Sequence, residues 1–242
     1  MSEHSIESVS KEARTFEPSA EFSRRARITS RAKYDELYQQ SIAQPELFWA
    51  EQAKTLHWFT PPSKVLSGSL PDVKWFEDGT LNASYNCLDR HVAEGKGDKI
   101  ALSFEGEPGD KRTLTYAQLL AQTSKLANVL LGLGLEKGDR VAIYMGMVPE
   151  AAIAMLACAR IGAIHSVVFG GFAAEAIRDR VNDQQASLVI TQDGGHRRGQ
   201  LVPLKDNVDR ALEQCPSVKN VLVFKRYGNP TAWKEGRDLD WA

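Results

Sequence analysis

Cysteine is scarce in this chain. Three occur in 242 residues, at Cys87, Cys158 and Cys215. They are odd in number, far apart and without a C-x-x-C pair, which argues against a disulfide framework or a cysteine-rich zinc site. Long apolar runs are missing as well. The richest, Val148 to Ala159, is interrupted by Pro149 and Glu150 and falls short of the roughly 20 residues a membrane helix requires. The opening stretch MSEHSIESVSKEAR has no apolar segment, so it does not read as a secretion signal. Charge of one sign is also absent. Lys and Arg number 30 against 31 Asp and Glu, a net of −1. The basic residues are scattered and not interleaved with aromatics, which excludes a general binder of nucleic acid or membrane surfaces. A reducing cytoplasm fits these absences.

Familiar catalytic signatures are missing too. There is no GxxxxGK[ST], GxSxG, HExxH or EF-hand loop. Gly132, Gly134 and Gly138 have the wrong spacing for a dinucleotide fingerprint, and they lie between a helix and a strand, the reverse of the required order. No carboxylates pair within an evident site. The sequence therefore nominates no catalytic residue and no metal ligand.

What is present is 43% hydrophobic residues, enough for one sizeable α/β core. Residues 1–30 are polar and read as a flexible leader. Residues 31–95 read as a helical and irregular extension that packs on something larger. Within it, Pro45 opens a predicted helix carrying Phe48, Trp49, Ala53, Leu56 and Trp58, ended by Thr60-Pro61-Pro62. Trp75, Phe76 and Asp78-Gly79 predict an aromatic-anchored irregular segment with a turn. Ser84 is the expected cap of a short helix through Leu88 and Val92. His57, between Leu56 and Trp58, reads as structural.

Residues 96–242 carry the main pattern. Ile100, Leu102 and Phe104 alternate as in a strand, and Glu107 to Asp110 supply a turn. Thr115 and Gln118 form a T-x-x-Q capping box. The helix behind it presents Tyr116, Leu119, Leu120, Thr123, Leu126, Ala127, Leu130 and Leu131 on one face. Apolar strands at 141–144, 165–169, 187–191 and 220–224 then alternate with helices at 149–161, 173–182 and 203–214. That rhythm predicts an α/β fold, a parallel sheet with helices on both faces. Nothing after strand 220–224 reads as a closing element, so the sheet is expected to end at an open position, as an incomplete domain.

Ligands of parallel sheets bind beyond the C-terminal strand ends, and two turns there stand out. In Phe169-Gly170-Gly171-Phe172, two glycines follow a strand directly. They either let the backbone approach a ligand or serve a tight turn that needs positive φ. In Asp193-Gly194-Gly195-His196-Arg197-Arg198-Gly199-Gln200, adjacent arginines sit on a glycine-flanked loop. Guanidinium forks match phosphate oxygens, and an arginine plane stacks on a purine; a solvated surface loop is the alternative. His196 reads as positional, and His165, opening an apolar strand, as a core histidine.

Several ordered segments resemble the AMP-forming acetyl-CoA synthetases of the adenylate-forming acyl-CoA synthetase superfamily. They include Tyr34-Asp-Glu-Leu-Tyr38, Pro45-Glu-Leu-Phe-Trp49, Val73-Lys-Trp-Phe76 and Leu81-Asn-Ala-Ser-Tyr-Asn-Cys-Leu-Asp-Arg90. They continue with Leu114-Thr-Tyr-Ala-Gln-Leu119, Gly138-Asp-Arg-Val-Ala-Ile-Tyr-Met145, His165-Ser-Val-Val-Phe-Gly-Gly-Phe172 and Asp206-Asn-Val-Asp-Arg-Ala-Leu212. The resemblance implies a ligase that makes an acyl-adenylate from acetate and ATP with Mg, then passes the acyl group to CoA. It also implies that Gly171 and the loop Arg197-Arg198-Gly199-Gln200 bind CoA. Gln200 departs from the family's usual second arginine, so that contact is weaker or falls to Arg198. The family's phosphate loop, acyl-pocket tryptophan, ribose-binding aspartate and C-terminal catalytic lysine do not occur in this sequence. The expectation is an N-terminal CoA-binding fragment, inactive alone, whose partner is the remaining C-terminal portion. A propionate-preferring relative or a flavodoxin-like nucleotide-binding module without catalysis are the alternatives.

Overall fold

The computed structural model describes residues 13–242; residues 1–12 of the expected leader lie outside them, and its described part, 13–30, contains a short helix over Ala20–Arg25. The chain forms two compact units. One comprises residues up to 55 with 65–75, the other 56–64 with 76–242.

The first unit holds helices α1 (Ala20–Arg25), α2 (Arg31–Ala43) and α3 (Pro45–Ala53). Ser19 and Ser30 cap the first two through side chains that accept the Phe22 and Lys33 amides. The helix expected to reach Trp58 stops at Ala53. The Lys54 and Thr55 amides turn back to the Glu51 and Gln52 carbonyls, at 3.2 and 3.1 Å, tightening the final turn and ending the helix. Strands β1 (Leu66–Ser69) and β2 (Asp72–Trp75) form an antiparallel hairpin, and the Trp75 ring meets Trp49 edge-on at 6.1 Å. The sequence did not predict this hairpin, because Leu66-Ser-Gly-Ser69 has no alternating apolar pattern.

In the second unit, the Asn86 side chain pins the His57 backbone, accepting from its N–H at 2.8 Å and donating to its carbonyl at 2.9 Å. Helix α4 (Ala83–Cys87) is capped by Asn82, whose Oδ1 accepts the Tyr85 amide at 3.0 Å. Ser84, the expected cap, is buried inside the helix. The helix also breaks at Leu88. A short α5 (Asp89–His91) and a π turn at Val92–Lys96 follow, in which Gly95 takes a φ of 77° that favours glycine.

Strands β3 (Ile100–Glu105) and β4 (Lys111–Thr115) pair as a hairpin. Helix α6 (Tyr116–Gly132) begins with the expected capping box. Its buried face is Leu119, Thr123, Leu126, Ala127 and Leu130, whereas Leu131 is 52% exposed, one position too far round the helix. The remaining elements are β5 (Arg140–Met145), α7 (Pro149–Ile161), β6 (Ile164–Phe169), α8 (Ala174–Gln184) and β7 (Leu188–Gln192). They are followed by β8 (Gly195–Arg197), β9 (Gln200–Val202), α9 (Leu204–Leu212), β10 (Asn220–Phe224) and β11 (Asp238–Asp240). Asn82 and Asp89 hold the C-terminal end of α7. The Asn82 amide donates to the Ala159 and Arg160 carbonyls, and Asp89 takes a two-pronged bond from Arg160 at 2.7 and 2.9 Å.

The main sheet is parallel, in the order β11-β10-β7-β5-β6. Alternation along its strands divides the core. Val141, Ile143, Leu188, Ile190 and Leu222 pack with Leu126, Leu130 and Ile153 of α6 and α7 on one face. Ala142, Tyr144, Val189, Val221 and Val223 pack with Ile177, Val181, Leu204 and Val208 of α8 and α9 on the other. The α/β fold read from the sequence is thus the observed one.

Two further expectations are corrected. The sheet does not stop at β10. The three residues of β11 add to its edge, too short and too polar to read as a strand. A buried ionic cluster ties them there. Lys205, fully buried, reaches Asp209 and Asp238 at 2.8 Å each, and Arg237 bonds both carboxylates. Nor is His165 a core histidine. Strand β6 is at the opposite edge of the sheet, His165 is half-buried, and Ile164, Val167 and Phe169 are exposed.

Candidate functional site

Strand order places the site. From β5 the chain crosses to β6 on one side, and from β7 it runs to β10 on the other. The C-terminal ends of the adjacent strands β5 and β7 therefore flank a topological switch point, where parallel sheets bind ligands. A cavity of about 310 Å³ opens there, lined among others by Met145, Gly146, Phe169, Gly171, Gln192 and Arg197. At its floor, the fully buried Gln192 accepts the Gly146 amide at 3.2 Å and donates to the Gly194 carbonyl. One side chain thereby closes the ends of both strands.

Both turns nominated from the sequence meet at this cavity. Neither Gly170 nor Gly171 has a positive φ, so the tight-turn explanation for them fails. Crowding is the reason instead. A Cβ on Gly170 would stand 2.9 Å from the Met145 carbonyl oxygen, and one on Gly171 would strike the Arg197 guanidinium and stand 2.8 Å from the Phe169 ring. The turn is held from within the sheet. The Tyr144 hydroxyl donates to the Phe172 carbonyl at 2.7 Å and accepts from the Asn207 amide at 3.2 Å. Burial pushes the Tyr144 phenol above its ordinary pKa, so it remains a donor.

The arginine turn is a hairpin. Strands β8 and β9 pair antiparallel with Arg197 opposite Gln200. Arg198 and Gly199 form the two-residue tip, at φ of 53° and 75°. Two successive positive φ values are the requirement of the turn that matches strand twist, and Gly199 meets it without strain. Arg197 extends towards the other turn. Its guanidinium lies 5.1 Å from the Phe169 ring centroid and donates to the Gly171 carbonyl at 3.5 Å. Gln200, opposite Arg197, is on the same face of the hairpin. The residues 196–200 are all exposed. His196 packs edge-on against Tyr227 at 4.8 Å.

The sequence reading missed three contributors. The buried Asp193 carboxylate collects four backbone N–H groups, those of Gly194, Arg226, Tyr227 and Gly228, at 2.7–3.0 Å. It thereby folds the turn after β10 onto the end of β7. Arg226, presented by that turn, lies over Phe104 and Tyr227 and bonds Asp110 at 2.9 Å. Glu107, from the β3–β4 turn, accepts the Gly199 amide. The position of Arg226 just past a strand's C-terminal end was a usable signal. Glu107, 92 residues from its partner, left none.

Chemically, the C-terminal end of the sheet offers exposed guanidinium groups and an aromatic ring around a largely apolar cavity. That is equipment for an anionic, partly aromatic ligand, and it contains no evident nucleophile. The fold is that of an α/β domain whose cavity lies at the switch point of a parallel sheet. Comparison with known proteins is more specific. The family model described as AMP-binding enzyme matches residues 89–241, and the chain belongs to that family. A second model, acetyl-coenzyme A synthetase N-terminus, matches residues 34–87. The chain is 53% identical over 242 residues to an acetyl-coenzyme A synthetase of Streptomyces avermitilis, covering 100% of this chain and 36% of that protein. It is 52% identical over 237 residues to the acetyl-coenzyme A synthetase of Deinococcus radiodurans, covering 98% and 36%. The solved acetoacetyl-CoA synthetase from Streptomyces lividans superposes with a TM-score of 0.81 at 26% identity, covering 93% of this chain and 36% of that one. The chain thus spans about 36% of the length of these curated relatives and corresponds to their N-terminal portion. The flavodoxin-like alternative gives way to this family membership.

Proposed function

We propose that these 242 residues are the CoA-binding, N-terminal part of an acetate–CoA ligase of the AMP-forming type, working in the cytoplasm. Residues 31–95 serve as the extension and 96–242 as the first part of the adenylate-forming domain. The complete reaction joins acetate to AMP, releasing pyrophosphate, and the CoA thiol then displaces AMP. In this chain Gly171, Arg197, Arg198, Gly199 and Gln200 receive the nucleotide end of CoA. The carrying observation is the convergence of Arg197 on Gly171 and Phe169 across two turns. A guanidinium pre-oriented by a ring suits a phosphate ester attached to a purine. Gln200 brings no positive charge, so Arg198 supplies the second cation.

ATP and Mg belong to the complete reaction. Among the described residues no three His, Cys, Asp or Glu side chains converge as metal ligands, and no role of this chain is routed through the metal. None of the described helices is long and apolar enough to cross a membrane. Two measurements test the proposal. Calorimetric titration should give saturable CoA binding that weakens for dephospho-CoA. Acetate-dependent ATP–pyrophosphate exchange by these 242 residues alone should stay at the no-enzyme blank. Equal affinity for the two coenzymes would remove the phosphate role of the arginine turn, and exchange above the blank would show that adenylation needs no further residues.

A further inference from the structure

The Gly199 amide is the point of the arginine hairpin best placed for an anion. It belongs to a tip whose two residues both have positive φ, and Arg197 and Arg198 precede it. Successive amides in such a turn, with guanidinium groups beside them, form an anion-binding concavity. A carboxylate already occupies it. Glu107 Oε1 accepts the Gly199 N–H, across 92 residues of chain. The acids on either side of Glu107 in the β3–β4 hairpin have cationic partners. Glu105 pairs with Lys111 at 3.1 Å and Asp110 with Arg226 at 2.9 Å. Glu107 and Arg197 both line the cavity at the switch point.

We propose that Glu107 is an internal stand-in for the ligand's phosphate. In the ligand-free chain its carboxylate fills the Gly199 amide and keeps the hairpin tip in its binding conformation. An incoming phosphate ester displaces it, and Glu107 swings away with the β3–β4 turn. The inference rests on the reading of the arginine turn as the seat of the phosphate end of CoA. Its consequence is a self-competition. The seat is open for only part of the time, and apparent affinity is reduced by that fraction. Such a contact also selects for charge. A neutral ligand end does not displace a carboxylate, whereas a phosphate dianion, with more charge and more acceptor oxygens, does.

The test uses the 242-residue chain with Glu107→Ala and Glu107→Gln, and Glu105→Gln as a control for the general field of a nearby carboxylate. Thermal melts establish that each is folded. Removing Glu107 should tighten CoA roughly three- to tenfold, the gain expected if the seat is open a tenth to a third of the time. Dephospho-CoA affinity should stay unchanged, and Glu105→Gln should shift CoA affinity by much less. The Gly199 amide resonance should move on removal of Glu107 and move back on addition of CoA. Unchanged or weaker CoA binding in both Glu107 variants overturns the proposal, as does an equal gain in Glu105→Gln. An amide resonance indifferent to Glu107 does so too. If the parent chain fails to bind CoA at all, the ligand assignment falls, and inorganic phosphate titrated against the Gly199 resonance still decides the stand-in. Tighter phosphate binding without Glu107 supports it, and equal binding refutes it.

Discussion

The guanidinium of Arg197 lies over the Phe169 ring, 5.1 Å from its centroid. One residue comes from the β8–β9 hairpin and the other from the last position of β6, two elements that do not pair in any sheet. This contact turns two separate strand-end turns into one site, and the first prediction concerns it. Arg197→Ala should weaken CoA binding to the chain by about ten- to a hundredfold, the loss of one charge-assisted hydrogen bond of about 1.5–3 kcal/mol. Dephospho-CoA affinity should barely change. Calorimetry with both ligands checks it. Equal losses for both would mean that the arginine stacks on the base and does not meet the phosphate.

The two neighbouring glycines should respond differently to alanine. At Gly170 the added methyl faces the Met145 backbone oxygen, 2.9 Å away, and backbone cannot step aside. Gly170→Ala should therefore cost about 1–3 kcal/mol of stability, the usual range for overpacking, read as a lowered urea midpoint. At Gly171 the methyl meets chiefly the far end of Arg197, a flexible side chain. Gly171→Ala should leave stability nearly intact and instead weaken CoA binding by displacing the guanidinium.

The thiols should react at very different rates. Cys87 is exposed, whereas Cys158 and Cys215 are buried. Burial pushes the Cys158 thiol up to about 12 and raises Cys215 as well, so little thiolate is available at neutral pH. A thiol-reactive dye at pH 7.5 should label one site rapidly in the native chain and all three in denaturant. Fast labelling of Cys158 would show that α7 opens from the sheet.

The clasp on β11 should be acid-sensitive. Burial works against ionisation of Asp238, but hydrogen bonds from Arg237 and Lys205 outweigh it and hold the carboxyl below its ordinary value. A depressed folded pKa gives stability that is fully present above the unfolded value, near 3.8, and is lost as pH falls through the folded one. Amide exchange of residues 238–240 should accelerate below about pH 4 before that of β5 or β7. Lys205→Met should destabilise the chain by about 1.5–3 kcal/mol, because Asp209 and the buried Asp238 lose the cation they share and keep only Arg237. A variant as stable as the parent would mean that the cluster contributes no net stability.

One edge strand of the main sheet is β6, where Ile164, Val167 and Phe169 are exposed. An apolar strand edge is a template for pairing with another chain. The isolated 242 residues should therefore self-associate with rising concentration, and a charged residue at Val167 should suppress it. Light scattering of Val167→Lys against the parent makes the comparison.

Outside the β8–β9 hairpin, the order of strands and helices from Ile100 to Phe224, the capping box at Thr115 and the strand-end turns at Gly171 and Arg197 were legible in the sequence. Each depends on local rules: apolar period, cap chemistry and glycine beside a strand end. Where those rules reached too far, tertiary contacts decided. Asn82 caps α4 in place of Ser84 because Ser84 is buried among its neighbours. The glycines at 170 and 171 answer to Met145 and Arg197, atoms distant in sequence, and not to their own φ. Strand β11 exists because Lys205 and Arg237 hold Asp238, and no apolar pattern announces it. Asp193, Glu107 and Arg226 join the site only through folding, since each acts on a partner more than thirty residues away. The sequence determined the apolar strands and amphipathic helices of the main sheet and which turns carry arginine and glycine. Only the tertiary structure decided what those turns touch, because side-chain contact depends on the order in which strands enter the sheet.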